Sequence, residues 1–395
     1  MAVFDLKNKA CIVGVGTSEK FGFVVNKSPI MLQLEAFKAA LEDAGLKRED
    51  IDGFATAHGA PTGVDYDAFA VQAGCNFRWV NQNWNHGRWA ATSITFAAMA
   101  VCAGLCDYVA VCNTTLSARG YGRFLPRERF GGEGFRDAGG GHGETPYHGM
   151  DTPGSAVSMI ARKYNLKYGA TSEELGAVSV AFRKHASLNP MAIMRDRVTL
   201  EDYLNSRMIS DPFHLLDYCL VNEGSTCLIL TTADRAKNLR KPPAYIAGAQ
   251  GIPASRNGYV IYARPGIGVS MTGEFDWQPE PQPVFGMAGV SQKDIDALYT
   301  YDSFSQNVYH TLERFGFCPP GEAHTWIQGG RIELGGELPM NTNGGLLSEG
   351  HYSGYNQIIE MVRQLRRECG ERQVKDAEVL QWAASWGDSM VLTRG

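Results

Sequence analysis

The sequence predicts an α/β fold in which two duplicated halves each layer a sheet against helices. Three observations carry that reading. Short apolar strands alternate with helical stretches along the 395 residues, a nine-residue segment occurs twice, and each copy leads into a further short strand. The repeated segment is Ala44-Gly45-Leu46-Lys47-Arg48-Glu49-Asp50-Ile51-Asp52, which returns as Ala288-Gly289-Val290-Ser291-Gln292-Lys293-Asp294-Ile295-Asp296. Each copy reads as a glycine helix stop followed by a short acidic connector.

Taken in order, apolar residues over 10–14 form the first strand, and the first copy of the repeat leads into a second strand over 54–56. An alanine-rich helical stretch follows within 85–112, closed by Gly104, and runs into a strand over 108–112. From 117 to about 154 the texture changes to Arg, Gly, Pro and aromatic residues, too long for a plain connection within a compact domain. It reads as a loop excursion. Helical patterns resume over 155–164 and 171–188, the latter opening on Thr171-Ser172-Glu173-Glu174 with the layout of a capping box. A strand over 227–231 closes the first half. The second half repeats the plan with strands over 244–248 and 298–300. The expected division is therefore 1–240, including the excursion over about 117–205, and 241–395.

Composition narrows the function. With 44% hydrophobic residues the chain has enough apolar surface for a full core, and 37 basic against 42 acidic residues give a net charge of −5. That balance offers no attracting field for nucleic acid and no polybasic membrane patch. The longest largely apolar stretches, such as 94–105, are too short to span a bilayer, and 1–16 lacks a secretory layout, so a cytoplasmic location is expected. Nine cysteines without a Cys-x-x-Cys pair read as thiols in a reducing compartment, with no metal site expected. Gly14-Val15-Gly16 lacks the third glycine of a dinucleotide loop.

The segment 341–354, Asn-Thr-Asn-Gly-Gly-Leu-Leu-Ser-Glu-Gly-His-Tyr-Ser-Gly, holds His351 among Gly344, Gly345, Gly350 and Gly354. Glycines allow positive φ and close backbone approach, so this loop can aim a histidine into a cavity; the alternative is a surface loop with an incidental histidine. Together with the alanine helix, the stretches 181–190, Tyr301-Asp302-Ser303-Phe304, 315–322 and Gln364-Leu365-Arg366, it resembles the thiolase superfamily, in its sterol-carrier, lipid-transfer-type branch. The resemblance spans essentially the whole chain. It implies a thiolase fold with duplicated five-layered α/β halves related by a pseudo-twofold axis, and a homodimer.

Thiolases also need two cysteines, a nucleophile at the start of the alanine helix and an acid/base near the C-terminus. At the corresponding places this chain has Gly87, beside His86, and Ala384-Ser385-Trp386-Gly387. A glycine forms no thioester. Moreover, Tyr301 stands where sterol-carrier-type thiolases carry the histidine of His-Asp-x-Phe. Loss of both cysteines with gain of a tyrosine resembles the steroid side-chain aldolases of the same branch. Those enzymes cleave a β-hydroxyacyl-CoA by retro-aldol chemistry and pair with a small, separately encoded protein carrying a zinc-ribbon and an OB-like domain. They place a second tyrosine in the glycine-rich loop, where this chain has His351 followed by Tyr352.

Retro-aldol cleavage requires a base for the β-hydroxyl proton, dipoles for the thioester enolate and an acid for the α-carbon. Tyr301 serves as base if neighbours bring its pKa down from about 10, with His351 as the group that lowers it or as the proton donor. Backbone amides of Gly344, Gly345 and Gly350 are the expected enolate donors. His86 and Tyr352 are further candidates, each with packing or loop support as the alternative role. Asp302 reads as a hydrogen-bonding support. The function expected is cofactor-free cleavage of a bulky, steroid-like β-hydroxyacyl-CoA to a ketone or aldehyde plus a short acyl-CoA, coenzyme A being part of the substrate. Two rivals are a thiolase or acyltransferase with another nucleophile, such as Cys75 or a serine, and a non-catalytic acyl-CoA-binding subunit.

Overall fold

The computed structural model describes residues 6–24, 26–56, 63–83, 89–116, 153–253 and 282–395. Nine strands form one sheet in the order β3-β2-β4-β7-β1-β8-β11-β10-β9. They are β1 (Ala10–Thr17), β2 (Gly53–Thr56), β3 (Trp79–Gln82), β4 (Val109–Leu116), β7 (Glu223–Thr232), β8 (Ala244–Gln250), β9 (Ala297–Thr300), β10 (Val379–Ala383) and β11 (Ser389–Thr393). The remaining strands, β5 (Met208–Ser210) and β6 (Phe213–His214), make a separate hairpin.

The duplication is explicit in the pairing. In the first half β2 runs parallel to β4, then β4–β7 and β7–β1 are antiparallel. In the second, β9 runs parallel to β10, then β10–β11 and β11–β8 are antiparallel. The half-sheets meet edge to edge through Cys11–Tyr245 and Ile12–Ala244. The repeated segments fold alike: Gly45 and Gly289 end their helices at φ 73° and 72°, and each is followed by a 3-10 turn, Arg48–Asp50 or Gln292–Asp294, before β2 or β9.

A shared close approach explains two glycines. A Cβ on Gly14 would lie 2.5 Å from Ala40 O and 2.9 Å from Ala44 Cβ of helix Pro29–Ala44, while one on Gly248 would lie 2.4 Å from Val284 O and 3.0 Å from Ala288 Cβ of helix Pro283–Ala288. Both helices therefore press onto their strands at a point that only glycine permits. A register shift between Ile12 and Gly14 changes which face β1 presents. Cys11 and Val13 pack in the cluster of helix Pro29–Ala44, whereas Val15 joins Ala10 and Ile12 in the larger core.

Helices Ala90–Cys102 and Tyr355–Leu365 each contact strands of both halves, so they lie in the layer that the halves share. Helices Pro29–Ala44 and Pro283–Ala288 pack against the strands of their own halves, so the large mixed sheet carries helices on both sides. The alanine helix starts at Ala90 and ends at Cys102, with Gly104 at φ 72°. Small residues on several sides suit it to a crowded layer between sheets. Most of the excursion over 117–154, and His86 with Gly87, lie outside the described residues. Helices Pro153–Tyr168 and Ser172–Ser187 follow, and Thr171 caps the second in a complete capping box with Glu174. Among the described residues no helix is long and apolar enough to cross a membrane.

Candidate active site

Tyr301 directly follows β9. Its backbone is held on three sides: its N–H donates to Ala383 O (3.4 Å), Asn307 Nδ2 donates to its carbonyl (3.3 Å), and Asn341 clamps the residue before it. Asn341 Oδ1 accepts from Thr300 N at 2.8 Å while its Nδ2 donates to Thr300 O at 3.1 Å, so one side chain imitates a pairing strand. The Tyr301 ring is buried and meets Trp386 edge-on at 5.9 Å between centroids. On its other contact, Tyr301 Oη lies 2.9 Å from His351 Nε2, with the rings nearly perpendicular at 5.7 Å. That is a full-strength hydrogen bond between the two residue types that proton transfer needs.

His351 is partly exposed and comes from the glycine-rich loop. Asp302, fully buried, positions that loop by accepting from Leu346 N (2.9 Å) and Leu347 N (3.2 Å) at the start of the short helix Gly345–Ser348 and from Gln357 Nε2 (2.8 Å). Burial pushes its carboxyl up to about 7, while the two amides and the glutamine oppose the shift. Beyond the turn, buried Glu349 is held by Asn189 Nδ2 at 2.7 Å, Asn356 Nδ2 at 2.6 Å and the amide of Asn343. Its carboxyl is likewise raised by burial to about 7. The backbone of His351 is gripped by Asn222, whose Oδ1 accepts from His351 N at 2.6 Å.

Several sequence expectations are corrected. The amides of Gly344 and Gly345 donate within the loop, to Asn341 O (2.8 Å) and Asn343 Oδ1 (3.3 Å), and Gly350 N donates to Gly345 O over 3.4 Å. They shape the loop and are not open enolate donors. Tyr352 is fully buried, packs on Phe21 with centroids 3.9 Å apart and donates its hydroxyl to Glu223 O at 2.9 Å. Burial holds its phenol well above the ordinary range, so its hydroxyl is an anchor and the structure does not bring it to the Tyr301–His351 pair. Cys75, proposed as an alternative nucleophile, packs in the core with Phe54 and Phe69, where burial raises its thiol.

Sequence reasoning missed Asn222, Asn341, Trp386 and Asp388. Asp388, fully buried, accepts from Ala91 N (2.8 Å), Thr92 N (3.0 Å) and Thr92 Oγ1 (2.5 Å), occupying the positive end of the alanine helix. Desolvation lifts its carboxyl to about 8 against those donors. The Asp388 carboxyl thus fills the start of the helix, where the resemblance to thiolases would place a nucleophilic cysteine. The available signal was Asp388 directly after Ala384-Ser385-Trp386-Gly387, the stretch read as the place of the missing second cysteine.

Residues 277–391 match a family model described as thiolase C-terminal domain-like. The chain is 38% identical to a 17-hydroxy-3-oxo-4-pregnene-20-carboxyl-CoA lyase of Mycobacterium tuberculosis, over 91% of this chain and 92% of that protein. It is 37% identical to a steroid side-chain-cleaving aldolase of Thermomonospora curvata over 91% of each chain. A solved Ltp2-ChsH2(DUF35) aldolase superposes with a TM-score of 0.85 at 32% identity, covering 98% of both chains. An SCP2-thiolase-like protein of Mycobacterium smegmatis shares the fold at a TM-score of 0.69 and 18% identity, over 98% of this chain and 77% of that one.

Proposed function

Because the chain belongs to the thiolase-fold family of steroid side-chain-cleaving aldolases, we propose that it is a carbon–carbon lyase that cleaves a steroid β-hydroxyacyl-CoA by a retro-aldol reaction. The observation that carries the chemistry is the 2.9 Å bond between Tyr301 Oη and His351 Nε2. The phenol gives its proton to the imidazole as it takes the β-hydroxyl proton of the substrate. The β-oxygen then becomes a carbonyl, the Cα–Cβ bond breaks, and its electron pair enters the thioester as an enolate. A proton returned from the pair to Cα completes the short acyl-CoA, so atoms balance without free coenzyme A or another cofactor. Low-dielectric walls, including Trp386, strengthen these charge movements.

Assembly belongs to the same proposal. The outer side of β3 has no paired strand among the described residues, and an open apolar groove lined by Trp79, Phe96, Met99 and Leu105 lies beside it. An unpaired edge next to exposed apolar side chains suits pairing with a second copy. Sedimentation should therefore give twice the 43.2 kDa chain mass, and a monomer at micromolar concentration would count against the dimer. A small zinc-ribbon and OB-fold protein is the proposed second partner, a reading supported by the likeness to the solved Ltp2-ChsH2(DUF35) aldolase. Nine free cysteines suit a cytoplasmic setting.

The test is incubation of the chain and its partner with a steroid β-hydroxyacyl-CoA, omitting free coenzyme A. A steroid ketone and a short acyl-CoA should appear in equal amounts, and Tyr301→Phe should lower kcat by roughly 100-fold or more while the protein still folds. Absence of cleavage by the unaltered complex would sink the lyase reading. Retained activity in Tyr301→Phe would remove that residue from the chemistry.

A further inference from the structure

We infer that Asn222 is a positioning residue, which sets His351 against Tyr301 by clamping the histidine backbone from the other half of the molecule. Tyr301 is fixed by β9 and by Asn341, both in the second half. His351 lies in a segment with little regular structure, between Gly350 at φ 154° and Ser353 at φ 57°. Asn222 Oδ1 accepts from His351 N at 2.6 Å, and Asn222 Nδ2 reaches His351 O at 3.5 Å. Asn222 is itself 1% exposed and immediately precedes β7, which is paired on both sides, by β4 and β1.

The neighbouring contacts reinforce the same tether. Glu223 exchanges backbone bonds with Gly22 at 2.7 and 3.1 Å, and its carbonyl accepts from Tyr352 Oη at 2.9 Å. Asn113 Nδ2 of β4 donates to Tyr352 O at 3.0 Å. His351 and the residue after it are thus tied to β4, β7 and the residue leading into β7 in the first half, while the phenol is tied to a second-half strand. The arrangement mirrors the asparagine clamp on Thr300: each member of the proton-transfer pair has a buried asparagine bonding the backbone at or next to it. A neutral amide is suited to this because it meets both N–H and C=O without placing a charge beside the pair.

The kinetic part of this inference rests on the lyase reading; the positional part does not. Asn222→Ala should lower kcat by roughly 10- to 100-fold with KM changed less than about threefold, as expected when a proton-transfer group shifts by about an ångström. Its kcat–pH profile should move. Asn222→Asp keeps the acceptor for His351 N but loses the donor to His351 O and adds a charge beside the pair, so it should recover only part of the loss and displace the kcat–pH profile in its own right. Independently of activity, diethyl pyrocarbonate should modify His351 several times faster in folded Asn222→Ala than in the parent, as read by peptide mass mapping. An unchanged modification rate overturns the positional claim even if the protein proves not to be a lyase. Activity lost only in proportion to folded protein, with an unchanged pH profile, overturns the kinetic claim. A parent that reacts normally with diethyl pyrocarbonate but fails to cleave substrate would instead indict the lyase reading.

Discussion

Gly345 shows how much a single position in the loop is constrained. Its φ is 64°, and an added Cβ would meet Asp302 Oδ2 at 2.1 Å and Asn341 Nδ2 at 2.9 Å. The first neighbour caps the helix that leads to His351, and the second holds the strand end at Tyr301, so no flexible side chain can absorb the clash. Gly345→Ala is expected to cost about 1–3 kcal/mol of stability and to reduce turnover sharply. Gly286, in helix Pro283–Ala288 with open space around it, is the control, because Ala there should stabilise by about 0.5–1 kcal/mol. Thermal or denaturant unfolding of the two variants decides the matter. Equal stabilities would refute the account of Gly345. The sequence marks the loop as glycine-rich, but the reason for this glycine is a carboxylate on Asp302, which only the folded chain brings beside it.

At the scale of elements, the repeat around Ala44 and Ala288 was legible because helix stops, acidic turns and short strands have local signatures. The start of β1 and the strands β2, β8 and β9 were legible for the same reason. Strands β3, β10 and β11 were not: β3 alternates partly buried with exposed residues, and β10–β11 carry Gln381, Trp382 and Ser389 in their ladder. Helices Gln306–Arg314 and Tyr355–Leu365 were not read from the sequence either, for a different reason. Each looks amphipathic, yet buried residues include Asn307 and Glu313 in the first and Asn356, Gln357, Glu360 and Gln364 in the second. Their polar faces serve internal bonds. Gln357, for example, joins Thr300 O, Asp302 and Trp382 Nε1. The Tyr301–His351 pair was readable from motif positions. Asn222 and Asn341 were not, because an asparagine that bonds another segment's backbone leaves no periodic trace.

For the whole molecule, a partly buried ionic junction bridges the two halves. Arg366, with 1% of its side chain exposed, donates to Asp43 Oδ2 (2.7 Å), Val13 O (2.8 Å) and Pro242 O (2.8 Å). Lys241 joins Asp43 to Glu368 at 2.5 and 2.9 Å. The junction ties the end of the second-half helix to the first-half helix, to β1 and to the link between β7 and β8. Burial alone would raise the Asp43 carboxyl, but Lys241 and Arg366 outweigh it and hold the group below its ordinary range. A depressed carboxylate stabilises the fold above its unfolded pKa, and this contribution fades as pH falls through the lower folded value. Arg366→Met removes one cation and leaves the carboxylate poorly compensated, so about 3–5 kcal/mol should be lost at pH 7. As pH falls below the ordinary carboxylate range and through the depressed folded pKa of Asp43, the missing cation matters less and the gap between parent and variant should narrow. Denaturant unfolding of both proteins at pH 7 and at successive steps down through and below the ordinary carboxylate range measures that gap. A gap that stays constant over the range would show that Arg366 acts through its backbone-carbonyl bonds and packing, with Asp43 contributing little to the union of the halves.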